Sequence, residues 1–195
     1  MNAKYTEREK RAVFDEYLVL RSQGGDAQAL QELIQHWYGR LYGFALGQLQ
    51  DAEGAKDATQ DALISISKGI RRLEDPASFP KWAYQIVIRR CADWQRREIR
   101  WRKRHVTDSH AAIEHVEARR ASSEPTESGT DTEVVQRAIG RLEPELGTVV
   151  RLFYFESFSV REIAELLEVP TGTIKSRLYY ARTRLKQTLG EDEDD

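Results

Sequence analysis

Hydrophobic residues recur along this chain at steps of three and four, which is the spacing of an amphipathic α-helix. A strand-like alternation of apolar and polar residues does not persist over any stretch of the sequence. Asp26 and Asp51 each precede such a run, at the position where an aspartate side chain can cap the first turn of a helix. The pattern therefore predicts an all-α protein.

Three helices are predicted in the first half of the chain. The helix after Asp26 has apolar positions at Leu30, Leu33, Ile34, Trp37, Leu41, Phe44 and Ala45. The helix after Asp51 has apolar positions at Ala55, Ala58, Ala62, Ile66, Ile70 and Leu73. The Asp75-Pro76 step breaks that helix, and a third helix is predicted from about Phe79 into a basic stretch that begins at Arg89.

Residues 159–186 predict two further helices joined by a tight turn. Ser159 and Glu162 have the spacing of a capping box, in which the two residues satisfy backbone amides at a helix start. Apolar residues follow at Ile163, Ala164, Leu166 and Leu167. Val169-Pro170 ends this helix because the residue before a proline is pushed out of the helical region, and Thr171 can cap the next helix.

The second of these helices has an apolar stripe, formed by Ile174, Leu178, Ala181 and Leu185, and a basic face. Residues 171–188 contain five basic residues and no acidic ones. A helix–turn–helix places its second helix in the major groove of DNA, with its N-terminal residues nearest the base edges. The side chains that face bases would then be Lys175, Ser176, Tyr179 and Tyr180, and those that hold phosphates Thr173, Arg177 and Arg182. An ordinary amphipathic hairpin with a solvated basic face is the alternative.

Changes in composition along the chain predict its domain organisation. Residues 1–24 form a polar, partly helical leader, and residues 25–104 form a first helical domain. Residues 105–130 are poor in apolar residues and rich in Ser, Thr, Glu, Pro and Gly toward their end, which is typical of a linker. A second helical domain spans residues 131–190, and an acidic tail follows at 191–195. The predicted fold class is all-α, with two small helical domains joined by a flexible linker.

Charge is segregated along the chain, although the net charge is only −2. Residues 89–104 contain eight basic residues and two acidic ones, whereas the last five residues are all acidic. A basic stretch of this kind favours a nucleic-acid partner. The acidic tail is expected to be a disordered, solubilising end, and competition with DNA for the basic faces is the alternative.

Composition also limits the compartment and the chemistry. The chain has 195 residues, of which 40% are hydrophobic, and its single cysteine, Cys91, excludes an intrachain disulfide and disfavours a cysteine metal site. The N-terminus lacks the apolar core of a signal peptide, and no run of about 18 apolar residues could span a membrane. We expect a soluble, cytoplasmic protein with no cofactor and no bound metal.

The residues around the last two helices closely resemble region 4 of sigma-70-family sigma factors of the extracytoplasmic-function (ECF) group. The matching motifs are Glu162-Ile163-Ala164 and Gly172-Thr173-Ile174-Lys175-Ser176-Arg177-Leu178, in a run that begins RLEPELGTVVRLFYFESFS. Glu168 departs from the family pattern, which often has glycine at this turn position. Tyr180 also departs from it, since the family commonly has arginine there.

Residues 25–104 resemble region 2 of the same family, in the family's order. The segment AKDATQDALISI is similar to the one that binds the clamp of the polymerase, with Ala55, Asp57, Gln60 and Leu63 at matching positions. The segment SFPKWAYQIVIRRCADWQRR is similar to the one that melts and reads the −10 promoter element, with Phe79, Trp82, Ile86, Asp93 and Arg97 at matching positions. Arg89 stands where the family usually has asparagine, so we expect an altered −10 preference or a contact shifted to phosphate.

The resemblance implies one set of site residues for each partner. Core polymerase is expected to bind Asp57, Gln60 and Asp61, which share one helical face; a merely solvated surface is the alternative. The −10 DNA is expected to contact Phe79, Lys81, Tyr84, Gln85, Arg89, Arg96, Arg97 and Arg100, whereas core packing is expected for Trp82 and Ile86. Trp94 and Trp101 fit either role. The −35 DNA is expected to contact Thr171, Thr173, Lys175, Ser176, Arg177, Tyr179, Tyr180 and Arg182.

The function that the resemblance implies is that of a transcription initiation factor. Such a protein binds bacterial core RNA polymerase, directs it to promoter DNA and helps to open the duplex, and the family also implies an anti-sigma factor as a partner. A stand-alone helix–turn–helix regulator of an operator is the alternative, although it has no need of the first domain. An enzyme is disfavoured because HExxH, CxxC and glycine-rich phosphate-loop motifs are absent from the sequence.

Overall fold

The computed structural model describes residues 6–105 and 131–191, and every regular element in these ranges is helical. The first helical unit consists of α1 (Glu7–Gln23), α2 (Ala27–Leu49), α3 (Ala52–Gly69) and α4 (Phe79–His105), with short 3-10 turns at Ile70–Arg72 and Pro76–Ser78. The second helical unit consists of α5 (Asp131–Gly140), α6 (Pro144–Val150), a π-helical turn (Arg151–Phe155), α7 (Val160–Leu167) and α8 (Thr171–Glu191). The all-α prediction is confirmed. Three segments lie outside the described residues, namely 1–5, 106–130 and 192–195. They include most of the predicted linker and most of the predicted tail.

Side-chain caps begin two helices where the sequence predicts them. The Asp26 carboxylate accepts hydrogen bonds from the backbone amides of Gln28 and Ala29 at 2.9 and 3.0 Å. Asp51 accepts from the amide of Gly54 at 2.6 Å. These amides have no acceptor within their own helix, so each cap stabilises the first turn of α2 or α3.

The core of the first unit forms around the indole ring of Trp37 on α2. Phe79 and Tyr84 of α4 pack edge-on against this ring, at centroid distances of 5.1 and 6.0 Å. The indole N–H donates to the carboxylate of Asp15 on α1 at 2.9 Å. The buried indole thus has apolar neighbours for its ring and an acceptor for its polar atom.

Helix α1 is part of this core, although the sequence predicts only a polar, partly helical leader over residues 1–24. Leu18 and Val19 are fully buried, and a capping box between Thr6 and Glu9 begins the helix. The segment is polar on average, but a surface helix needs only one apolar face to dock. The first helical unit therefore begins before the boundary expected at residue 25.

The second unit contains the predicted helix–turn–helix. The amide of Ser159 donates to the Glu162 carboxylate at 2.7 Å and the amide of Glu162 donates to the Ser159 hydroxyl at 3.2 Å, which confirms the capping box. The predicted apolar positions Ile163, Ala164, Leu166, Ile174, Leu178 and Ala181 are buried. Thr171 is the first residue of α8 rather than its cap, because the carbonyl of Pro170 already accepts the amide of Thr173 at 3.0 Å.

The two helical units pack against each other through one continuous apolar core. The ring of Phe158, just before α7, meets the ring of Tyr84 on α4 edge-on at 5.4 Å. Val149 and Leu152 of the second unit are fully buried in the same core. The sequence predicts two separate modules, and it does not predict this contact because the residues that form it lie far apart in the chain.

Candidate nucleic-acid interface

Helix α8 presents most of the predicted −35 residues on the face that points away from its buried stripe. The exposed ones are Thr171, Lys175, Ser176, Tyr179, Tyr180 and Arg182. Thr173 and Arg177 are half-buried. The rings of Tyr179 and Tyr180 meet edge-on at 5.7 Å, and their side chains are 61% and 60% exposed. This face can offer positive charge, hydroxyl groups and apolar ring surface to the major groove of a duplex.

A row of polar and basic side chains follows one side of helix α4. Its members are Lys81, Gln85, Arg89, Arg96 and Arg100, which are separated by steps of four and seven residues. Lys81 and Gln85 are half-buried, whereas Arg89, Arg96, Arg97 and Arg100 are exposed. Cationic side chains spaced along a helix in this way can follow the phosphates of a nucleic-acid strand.

Phe79 and Tyr84 do not lie on this surface, contrary to the prediction that they line a DNA groove. Both side chains are fully buried, and burial raises the pKa of the Tyr84 hydroxyl. The two rings cover Trp37, which removes apolar surface from water that an open groove would leave hydrated. Trp82 is half-buried against the core, as the sequence suggests.

The predicted polymerase-binding residues lie on α3, next to the basic side of α4. Asp57 and Gln60 are exposed and Asp61 is half-buried. A carboxylate oxygen of Asp61 lies 3.7 Å from Nη2 of Arg97, a predicted −10 residue. The residues predicted to bind polymerase and the residues predicted to bind −10 DNA therefore lie on adjoining surfaces.

A groove between α3 and the last turns of α4 contains residues that the sequence did not assign to a site. It is lined by Asp57, Trp94, Arg97, Glu98, Arg100, Trp101, Lys103 and Arg104. The ring of Trp94 packs on Gly54, where an added Cβ would lie 2.5 Å from it. Trp101, by contrast, is 50% exposed. The sequence leaves core packing and base stacking open for both tryptophans, and the exposed ring of Trp101, between Arg100 and Arg102, lies where it can stack beside cations.

The described residues offer little reactive chemistry. Burial raises the pKa of the Cys91 thiol to about 12, so it remains protonated and is not a nucleophile. Within residues 6–105 and 131–191, no group of histidine, cysteine and carboxylate side chains could hold a metal ion. None of the helices that the structure describes is long and apolar enough to cross a membrane.

Among the residues that the structure describes, three ion pairs connect the first helical unit to the second. They join Arg40 to Glu156 at 2.9 Å, Lys81 to Glu165 at 2.7 Å and Arg89 to Glu168 at 3.9 Å. The hydrogen bond and the charge of Lys81 hold the pKa of the Glu165 carboxyl below its usual value. Lys81 and Arg89 belong to the predicted −10 set, so acidic groups of the second unit lie against a surface expected to bind DNA.

Comparison with known proteins identifies the family. The sequence model of the family described as ECF sigma factor matches residues 16–191. The chain belongs to the ECF sigma factors. The ECF RNA polymerase sigma factor SigM of Mycobacterium tuberculosis strain H37Rv is 31% identical over 176 residues, or 90% of this chain and 85% of that protein. The RNA polymerase sigma-H factor of Pseudomonas aeruginosa is 27% identical over 90% of this chain and 93% of its own length.

Two solved structures share the fold of this ECF sigma factor. The sigma factor RpoE of Bartonella quintana, in complex with the anti-sigma factor NepR, aligns with a TM-score of 0.66 at 21% identity. That alignment covers 82% of this chain and 96% of RpoE. CnrH, in complex with the cytosolic domain of CnrY, aligns with a TM-score of 0.62 at 18% identity, over 93% of this chain and 99% of CnrH.

Membership of this family confirms the predicted function. An ECF sigma factor is a transcription initiation factor that binds RNA polymerase and directs it to promoter DNA. The alternative of a stand-alone operator-binding regulator is not favoured, because the family match extends through both helical units.

Proposed function

We propose that the two helical units of this ECF sigma factor divide promoter recognition, with α8 docking on the −35 duplex and α4 reading and melting the −10 element. The observation that carries this proposal is the exposed basic and aromatic face of α8, which has no acidic side chain over residues 171–188. A surface of this charge attracts any duplex through its phosphates, and its polar groups then select a sequence at the base edges.

On α8, base readout falls to the exposed residues of the first turns. Lys175 can donate to the O6 and N7 acceptors of guanine, and Ser176 can donate or accept at several base edges. Tyr179 and Tyr180 offer ring surface to thymine methyl groups. Arg182 contacts phosphate and so positions the helix without reading the sequence.

On α4, the basic row follows the backbone of the strand that is melted. Arg96, Arg97 and Arg100 neutralise phosphates, and Trp101 offers a stacking platform at one end of the row. Taking a base out of the duplex costs a few kcal/mol, and these contacts offset that cost. Arg89 can only donate hydrogen bonds, so it prefers phosphate or guanine acceptors to the mixed pattern that asparagine reads.

On α3, the carboxylates of Asp57 and Asp61, together with Gln60, bind cationic groups of core polymerase. Asp61 already lies 3.7 Å from Arg97. When polymerase binds, one of its cationic groups replaces Arg97 as the partner of Asp61, and Arg97 becomes available to DNA. This exchange would couple assembly of the holoenzyme to the −10 surface.

The remaining properties follow from the role in initiation. The chain performs no catalysis, since binding to the opened strand supplies the free energy for melting. It acts in the cytoplasm, where polymerase and the chromosome are found. The sigma factors RpoE and CnrH were solved in complex with an anti-sigma factor and with the cytosolic domain of CnrY, and an anti-sigma factor is the corresponding candidate partner of this chain.

Charge reversal at each surface tests whether α8 binds promoter DNA and α3 binds polymerase. With Lys175→Glu/Arg182→Glu, we expect holoenzyme to bind a −35 promoter fragment at least about tenfold more weakly, because two favourable contacts become repulsive. The salt dependence should also fall by about one unit of slope for each lost phosphate contact. Retention of the variant on immobilised core polymerase should not change. With Asp57→Lys/Asp61→Lys, retention on polymerase should fall instead.

Arg184→Glu/Lys186→Glu is the matched control, because it makes the same charge change at exposed positions farther from the start of α8. Its effect on promoter binding should be clearly smaller than that of the Lys175 and Arg182 pair. The proposed division is wrong if the α3 and α8 variants impair the same step to the same extent.

A further inference from the structure

The outward face of α8 has an uncharged centre and basic borders. Opposite the buried stripe lies a central row of exposed residues, namely Gly172, Ser176, Tyr179, Tyr180 and Thr183. Basic residues border this row on both sides, with Lys175, Arg182 and Lys186 along one edge and Arg177 and Arg184 along the other. A helix in the major groove lies between two phosphate backbones. The long basic side chains of the borders therefore reach phosphates or the outermost base edges, and the central row lies over the bases between them.

The two aliphatic hydroxyl groups of the central row donate to the helix itself. The Ser176 hydroxyl donates to the carbonyl of Gly172 at 3.0 Å, and the Thr183 hydroxyl donates to the carbonyl of Tyr179 at 3.1 Å. Each oxygen keeps a lone pair, so it can accept from an amino group of adenine or cytosine. Neither offers the paired donors that select guanine. Any further base selection by the central row must therefore come from its tyrosine rings.

Tyr179 and Tyr180 are the first large side chains along the central row. Gly172 and Ser176 precede them, and a Cβ added at Gly172 would meet no atom within 4 Å beyond the adjoining residues and the backbone of its own helix. These small residues allow the first turn of α8 to approach the bases closely. The two rings meet edge-on at 5.7 Å. They thus form one apolar block that projects toward the bases from the following turns.

Tyr180 occupies a position at which the family commonly has arginine. An arginine in the major groove can donate two hydrogen bonds to the O6 and N7 acceptors of guanine. A tyrosine ring cannot make this pair, but its apolar surface can pack on the C5 methyl group of thymine, a contact that removes the methyl group from water. The basic borders keep their attraction for phosphates in either case. The change from arginine to tyrosine therefore alters which base is preferred more than it alters the affinity for a duplex.

We infer that Tyr180 determines the −35 specificity of this factor, because it selects thymine at the base pair where an arginine would select guanine. The ring of Tyr179 supports the ring of Tyr180 in this contact. The inference rests on the proposed docking of α8 on the −35 duplex, and it narrows that function to one residue and one base.

Deoxyuridine tests the contact, since it differs from thymidine only in lacking the C5 methyl group. Genomic promoter fragments that holoenzyme binds supply the −35 sequence, and each of its thymines is then replaced singly. At one thymine we expect about fourfold weaker binding, which is the effect of one buried methyl group. Tyr180→Ala should abolish this sensitivity. Tyr180→Phe, which removes only the hydroxyl group, should retain it.

Tyr180→Arg tests the specificity. At the same base pair, holoenzyme with this variant should prefer guanine to thymine by at least about fivefold. Gln187→Arg is the matched control, because it adds the same charge at an exposed position two turns farther along α8. The control should strengthen binding to all −35 sequences alike, without a change in base preference.

Three results would overturn the inference: no thymine shows the sensitivity to its methyl group, the sensitivity persists in Tyr180→Ala or disappears in Tyr180→Phe, or Tyr180→Arg leaves the base preference unchanged. The proposed function fails separately, when holoenzyme with Lys175→Glu/Arg182→Glu binds the −35 fragment as tightly as the wild type does.

Discussion

Single glycines show how closely the helices approach each other. A Cβ added at Gly54 of α3 would lie 2.5 Å from the ring of Trp94 on α4. A Cβ added at Gly47 of α2 would lie 2.2 Å from Nε of Arg151, in the other helical unit. Burial lowers the pKa of Arg151 to about 10, which is still far above neutral pH. Arg151 therefore stays charged. Its guanidinium occupies the space that the absence of a side chain at Gly47 leaves.

Gly54→Ala should lower the free energy of unfolding of the chain by about 1–3 kcal/mol, because the added methyl group forces the Trp94 ring to move in a packed site. Urea unfolding followed by tryptophan fluorescence would measure the change. Gly43→Ala is the matched control, since no atom beyond the adjoining residues and the backbone of its own helix lies within 4 Å of its added Cβ. The control should stabilise the chain by up to about 1 kcal/mol through helix propensity. Equal effects of the two substitutions would contradict the packing of Trp94 on α3.

Aromatic residues mark the limit of what the sequence predicts at the scale of residues. The exposure of Tyr179 and Tyr180 could be predicted, because the apolar stripe of α8 fixes which face is outward. The burial of Phe79 and Tyr84 could not, because it depends on the position of Trp37, far away in the chain. Periodicity gives the face of a helix that is buried, but it does not say which other helix covers that face.

At the scale of elements, α7 is the helix whose ends are most clearly encoded. Its capping box and its left-handed end at Glu168 are both local features. Ser159→Ala should cost about 1 kcal/mol of stability, because it removes the hydroxyl that accepts a hydrogen bond from the amide of Glu162. Glu168→Gly should gain about 1 kcal/mol, because glycine adopts the left-handed conformation without strain. Chemical denaturation of both variants measures the two effects.

Glu168→Gln separates strain from charge in this comparison. It keeps the left-handed conformation and removes only the carboxylate that faces Arg89, a pair whose side chains are 72% and 77% exposed. An exposed pair contributes little, so this variant should change stability by less than about 0.5 kcal/mol. A gain as large as that of Glu168→Gly would mean that charge, not backbone strain, limits the stability of the turn.

Elements with local signals could be predicted, whereas the docking of an element whose apolar signal is averaged out could not. Asp26, Asp51 and Ser159 cap α2, α3 and α7 as the sequence indicates. For residues 1–24 the sequence predicts a polar, partly helical leader but not the burial of Leu18 and Val19 in the core, because the segment is polar on average. Composition averages over a segment, whereas docking depends on the one face that meets a neighbour.

At the scale of the whole molecule, the contacts between the two units decide how the chain behaves. The Arg40–Glu156 pair joins residues 116 positions apart, and the ring of Phe158 shares the core of the first unit. No local pattern encodes such a contact, which is why the sequence predicts two separate modules. Because the apolar core is continuous, the two units should lose their structure together.

Calorimetry can test this cooperativity directly. The wild-type chain should unfold in one transition, with equal calorimetric and van't Hoff enthalpies. Glu156→Ala should separate the transition into two, because it leaves the half-buried Arg40 without its partner where the two units pack and costs the interface about 2 kcal/mol. Neither unit loses a core side chain, so each should still melt cooperatively. Glu145→Ala, at an exposed position of the same unit, should keep the single transition. Two transitions in the wild type would show that the units are independent, and that the continuous core contributes too little to couple their folding.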